Sequence, residues 1–185
     1  MFVNINNLKK SLNNFLKNKP FNHCVIDNFF DLELAKKLEK EFPDYNSEIW
    51  QNYNNNIEIK KTCNNWNLFP SDTYKVLSYL NSSEFISIIE KKISNKKKLY
   101  TDLGLNGGGW HIHKQGGKLN THLDYSAHPK LGLQRKLNLI VYLNSKWKEN
   151  WGGSLGLWDN KSSKLPGKLI KSIFPKFNRA ILFDT

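Results

Sequence analysis

The sequence predicts an α+β chain in which helices come first and an antiparallel sandwich or jelly roll of short strands follows. Three observations predict it. Apolar residues recur at helical spacing in four segments of the first 98 residues. From Leu99 onward the composition switches to short strands punctuated by glycines, at Gly107-Gly108-Gly109, Gly116-Gly117 and Gly152-Gly153. An apolar fraction of 39%, with 13% aromatic and six Trp, supplies enough material for a core in 185 residues. Residues 1–98 are therefore read as a supporting region and residues 99–185 as the core, together one structural domain.

Taken in order, Leu8, Leu12, Phe15 and Leu16 mark an amphipathic helix that ends near Lys19-Pro20. Residues 21–30 read as a short strand, in which His23 is a structural or exposed side chain. Asp31 caps a helix that buries Leu34, Ala35, Leu38 and Phe42 and stops at Pro43. Residues 45–69 are polar and Asn-rich with aromatics between, and read as a long irregular segment that forms either a substrate-facing wall or a pinned surface loop. Pro70-Ser71 opens a helix to about Leu80. Ser82 or Ser83 caps another, burying Phe85, Ile86, Ile89 and Ile93. Residues 91–98 are a solvated basic end. Strands follow at 136–144, 154–158, 169–174 and 178–184, with Pro166-Gly167 in the connection 161–168.

Charge excludes less than it suggests. A net charge of +12 invites nucleic acid, yet only Arg135 and Arg179 among the 28 basic residues are arginines, and arginine is the side chain suited to bidentate phosphate and guanine contacts. The lysines are spread out, so nucleic-acid binding ranks behind an enzymatic or a binding role. No apolar stretch approaches the ~20 residues that span a bilayer. The N-terminus has no apolar signal core. Cys24 and Cys63 are too few for a disulfide framework, which points to reduced thiols in a cytoplasm.

The chemistry concentrates in residues 107–158, around His122-Leu123-Asp124. If residues 118–124 form a strand, the His122 imidazole and the Asp124 carboxylate share one face. Together they supply two of the three ligands of a 2-His-1-carboxylate facial triad on non-haem Fe(II). An H-x-D tripeptide also arises by chance, and the bland reading is two ordinary surface side chains. On strand 136–144, Leu137, Leu139, Val141 and Leu143 make an apolar face, which leaves Asn138 and Tyr142 together on the other. His111 and His113 form a second same-face pair with no third ligand at a familiar spacing.

The order H-x-D, an apolar strand ending in YLN, then W…WGG-x-L-x-L-W, then PKFNRAILFDT, resembles the 2-oxoglutarate/Fe(II) dioxygenase superfamily. It is most similar to the prolyl-4-hydroxylase-like branch. The resemblance implies a double-stranded β-helix (jelly roll), buttressed by N-terminal helices, and hydroxylation of a C–H bond in a peptide side chain or a small molecule. It implies Fe(II) on His122 and Asp124, with 2-oxoglutarate and O2 as cosubstrates and ascorbate as a possible auxiliary. Tyr142 matches the tyrosine whose hydroxyl meets the 2-oxoglutarate carboxylate, with Asn138 and Leu155 beside that pocket. Leu155 and Leu157 have core packing as their alternative.

The family places a distal His, and then a basic residue for the cosubstrate, after the strand equivalent to residues 180–184. Both fall past Thr185, so the resemblance implies a fold incomplete at its C-terminus and a chain that is an inactive fragment. Arg179 comes too early for that basic residue and reads as an ion-pair or turn residue. Two rivals stand beside the enzyme: a non-catalytic jelly-roll binding module and a basic nucleic-acid-binding protein. Oligomeric state and substrate identity have no readable signal.

Overall fold

A computed structural model describes residues 2–93, 98–162 and 165–185. Nine strands and four α-helices occur among the described residues, in a mixed α/β arrangement. They group into two compact units, Lys36–Asn120 and Met1–Ala35 with Thr121–Thr185. That division departs from the expected boundary at residue 98 and from a single domain. Strand pairing explains the departure: the N-terminus joins the C-terminal sheet, while the first glycine-rich strands join the middle of the chain.

In the unit made of the two chain ends, helix α1 (Ile5–Leu12) is N-capped by Asn4, whose side chain accepts the Asn7 N–H. Leu8 and Leu12 on its inner face are buried, and α1 packs against β1 (His23–Ile26). The 3-10 turn Phe15–Lys17 follows α1 and buries Phe15. The expected strand over 21–30 shrinks to the four residues of β1. Its downstream half turns into a loop fastened by Asn178, which is buried at φ 58°. Asn178 accepts the Phe30 N–H at 2.8 Å and donates to the Phe30 carbonyl at 2.9 Å. Asn tolerates that left-handed backbone better than most side chains do.

In the middle unit, α2 (Leu32–Glu41) starts at Asp31, whose carboxylate accepts the Glu33 and Leu34 N–H groups. The segment expected to be irregular contains a hairpin, β2 (Gln51–Asn54) and β3 (Glu58–Cys63). Asn55 makes the turn by accepting the N–H groups of Ile57 and Glu58. The far edge of β3 takes β4 (Trp110–Ile112) and then β5 (Lys118–Leu119). Gly109 precedes β4 at φ +85°, and a β-carbon there would run into the Cys63 carbonyl. Trp50, Cys63, Phe69, Leu105 and Trp110 form this unit's core. Helices α3 (Ser71–Leu80) and α4 (Ser83–Ile93) pack against each other, and Ser82 caps α4 through the Phe85 N–H. The expected basic end at 91–98 falls largely on residues 94–97, outside the described residues.

Strand β6 (Leu137–Tyr142) pairs with β9 (Arg179–Asp184), which pairs with β1, giving the antiparallel order β1-β9-β6. The registers Val25↔Ile181↔Ile140 and His23↔Phe183↔Asn138 put those residues on one face, with Tyr142. That face meets a second hairpin, β7 (Leu155–Ser162) and β8 (Leu165–Ile173), around Leu157, Ile173 and Ile181. Pro166-Gly167 lies within β8 and not in a turn. The ladder there is irregular, and the Lys168 N–H donates to Asp159 at the point where a side chain on Gly167 would clash. Residues 163 and 164 of the expected connection are outside the described residues. No helix among the described residues is long and apolar enough to cross a membrane.

Candidate metal centre

The expected strand over 118–124 ends at Leu119, so His122 and Asp124 sit on an irregular stretch. Asn120 explains the break. Its backbone N–H still bonds the Ile57 carbonyl, but its side chain reaches the Asn56 carbonyl, and the ladder stops there. His122 and Asp124 nevertheless converge: His122 Nε2 stands 3.6 Å from Asp124 Oδ1. An imidazole nitrogen and a carboxylate oxygen at this distance would be the residues to hold a metal ion. The chemistry also fits, since an imidazole and a carboxylate are donors a divalent first-row metal accepts. No cluster of three or more His, Cys, Asp or Glu suited to a metal occurs among the described residues.

Asp124 is tethered from several sides. The His122 imidazole beside it holds its carboxyl below the usual carboxylate range, helped by Arg135 and opposed by burial. Arg135 Nη2 is 3.5 Å from Asp124 Oδ2, and its guanidinium lies over the Tyr125 ring at 4.5 Å from the centroid. The intervening residues are not a loose connector. Ala127 bridges Gln134, the Arg135 N–H donates to the Ser126 carbonyl at 2.9 Å, and the His128 N–H donates to Leu133 at 2.7 Å. His128 Nδ1 accepts the N–H groups of Lys130 and Leu131, so its ring shapes the turn.

The expected cosubstrate side chains take these places. Asn138 shares the sheet face of Tyr142. Tyr142 is largely covered by the Leu157–Ile173–Ile181 cluster, and burial pushes its hydroxyl up to about 12 against the pull of Arg179. Leu155 packs on the same cluster. Arg179 pairs with Asp27 through Nε at 2.6 Å and Nη2 at 3.0 Å, a two-pronged ion pair. His111 and His113 lie in the middle unit, where burial and the nearby Lys60 lower their affinity for a proton, with His111 pushed down to about 4. Sequence reasoning missed Arg135 as a site residue. Its signal was scarcity: only two of the 28 basic residues are arginines, and each stands against an aspartate.

Fold and site together define an α/β protein with an imidazole–carboxylate pair beside an antiparallel sheet. Residues 108–185 match the family model of the 2OG-Fe(II) oxygenase superfamily. On 177 residues the chain is 25% identical to prolyl 3-hydroxylase OGFOD1 of Mus musculus, covering 89% of this chain and 28% of that protein. It is 34% identical over 50 residues to prolyl 3-hydroxylase OGFOD1 of Xenopus laevis, covering 27% of this chain and 10% of that protein. The crystal structure of a Pseudomonas putida prolyl-4-hydroxylase superposes with a TM-score of 0.57 at 12% identity, covering 95% of this chain and 85% of that one. Residues 108–185 thus resemble the 2OG-Fe(II) oxygenase superfamily, and the chain is similar in fold to a prolyl-4-hydroxylase. It spans less than a third of the length of the curated relatives it matches.

Proposed function

We propose that the chain carries part of the active site of a 2-oxoglutarate- and Fe(II)-dependent hydroxylase acting on a C–H bond of a prolyl-like peptide side chain or a small molecule. The observation that carries this reading is the 3.6 Å approach of His122 Nε2 to Asp124 Oδ1 within the segment matching the family. In this reading the sheets β1-β9-β6 and β7-β8 are two walls of a double-stranded β-helix. His122 and Asp124 would hold Fe(II), which when bound couples dioxygen and the keto acid to substrate oxidation.

The chain's own residues then have separable tasks. Asp124 supplies the anionic ligand, since neutral imidazoles alone leave the divalent charge uncompensated. Tyr142, kept protonated by burial, offers an O–H donor to a carboxylate of the keto acid, while Leu155 keeps that side of the pocket dry.

The test measures Fe(II) binding and Fe(II)-dependent succinate release for the 185-residue chain, where His122→Ala and Asp124→Asn should each abolish metal binding. Unaltered iron binding in both variants would remove the assignment.

A further inference from the structure

We propose that Arg135 is a positioning residue for the metal-binding carboxylate. Carried on the hairpin 126–135, it holds Asp124 so that Oδ1 faces His122 and Oδ2 is turned away. The inference rests on the assignment of His122 and Asp124 as ligands, and adds how a carboxylate on irregular backbone is kept in place.

The need arises from the backbone. β5 ends at Leu119 and β6 begins at Leu137, so no ladder pins residues 122–124. The terminal torsion of an aspartate is broad and two-fold, so side-chain partners must choose which oxygen points where. Here the two oxygens are told apart: Oδ1 has His122 Nε2 at 3.6 Å and Oδ2 has Arg135 Nη2 at 3.5 Å. The Arg135 contact is longer than a tight charge-assisted hydrogen bond, whose N···O distance is about 2.7–2.9 Å. It steers the carboxylate and does not sequester it, leaving Oδ1 for an ion.

Arg135 is itself immobilised. Its backbone is bonded to Ser126, its guanidinium lies on the Tyr125 ring, and its side chain is only 15% exposed. Tyr125 is the residue next to Asp124, so ligand, ring and guanidinium form one packed group. Lysine, which dominates this chain, could supply the charge but not the planar stack.

Two effects oppose each other at this site. A guanidinium repels a divalent cation, so removing Arg135 would tighten metal binding if repulsion were decisive. A carboxylate released to rotate would bind more weakly. Orientation wins here, because Asp124 has no strand to hold it and Arg135 lies on the oxygen remote from His122.

The experiment titrates the apoprotein with Co2+ alone and reads affinity and the cobalt d–d absorption spectrum. Arg135→Gln should weaken binding roughly tenfold, at the lower end of the 10–100-fold effects seen for groups behind metal ligands, and should alter the spectrum. Arg135→Lys should recover most of the loss, and Tyr125→Leu should give a smaller loss in the same direction. Equal or tighter binding by Arg135→Gln overturns the proposal, as does a lysine variant as impaired as the glutamine one. If Arg135→Gln does not fold by circular dichroism, wild-type affinity in both Arg135→Lys and Tyr125→Leu overturns it. Failure of wild type to bind Co2+, or wild-type binding by His122→Ala and Asp124→Asn, removes instead the ligand assignment on which the proposal rests.

Discussion

At the scale of single residues, the chain separates its histidines by what surrounds them. His23 is fully buried on the sheet face that meets the second hairpin. Its Nδ1 lies 2.8 Å from the Phe21 carbonyl, which can only accept, so Nδ1 carries the proton. Nε2 then accepts from the Lys171 ammonium at 3.2 Å. Burial lowers its affinity for a second proton, Lys171 adds to that, and the Phe21 carbonyl partly offsets it. The unfolded chain takes up a proton near the ordinary value of 6.5, whereas the folded chain resists it. The unfolded state therefore binds more protons below that pH, and stability falls as pH drops through and below it. Urea unfolding between pH 7.5 and 5 should show this loss. His23→Gln should flatten that part of the profile, and an unchanged slope would show that His23 does not titrate against folding. The sequence reads His23 as a structural or exposed side chain, and it is buried.

At the scale of elements, helices were legible and polar strands were not. Helix α3 shows a device that only the fold reveals. Pro70 at its N-cap offers no side-chain acceptor, and Glu41, 32 residues upstream of Thr73, fills the gap. Its Oε2 accepts the Thr73 N–H and hydroxyl, each at 2.7 Å, and its Oε1 accepts the Asp72 N–H at 3.1 Å. A carboxylate at a helix N-terminus is also favoured by the helix dipole. Glu41→Ala should cost about 1–2 kcal/mol, the range for a lost cap, measured by denaturant unfolding. A change under ~0.3 kcal/mol would mean that water replaces it. Helix α1 could be read from its apolar spacing, and α2 and α4 also from the local caps Asp31 and Ser82. The hairpin β2–β3 escaped because Gln51–Asn54 and Glu58–Cys63 are too polar for alternation to stand out. The one local clue was Asn55, whose side chain makes the turn. The strand over 118–124 was overread for the opposite reason. Its alternation was real, but Asn120 diverts to Asn56. His122 and Asp124 nevertheless lie 3.6 Å apart on irregular backbone.

At the scale of the whole molecule, pairing between chain ends decides what can fold alone. Composition drew a line at residue 98, but β1 from the N-terminus completes the sheet of β9 and β6. Asp27, just after β1, holds Arg179 at the start of β9, with the guanidinium keeping the Asp27 carboxyl low. Asn178 locks Phe30 from the same corner. Such contacts between residues some 150 positions apart leave no local trace in a sequence. Residues 36–120, by contrast, hold a sheet of four strands and an aromatic core of their own. Expressed alone, residues 36–120 should therefore give a dispersed amide NMR spectrum and a cooperative thermal transition. Residues 99–185, the segment that composition marks as the core, should not. They lack β1, α1 and β3, so the buried Ile181 and Leu182 lose a covering strand and β4 and β5 lose their partner. Uncovering that apolar area removes several kcal/mol at about 25 cal/mol per Å², comparable with the whole stability of a small domain. Adding residues 1–35 in trans to residues 121–185 should restore dispersion in proportion to the β1–β9 ladder formed. A folded 99–185 fragment would show that the C-terminal strands find a core without the N-terminus, and that the composition boundary is also the folding boundary.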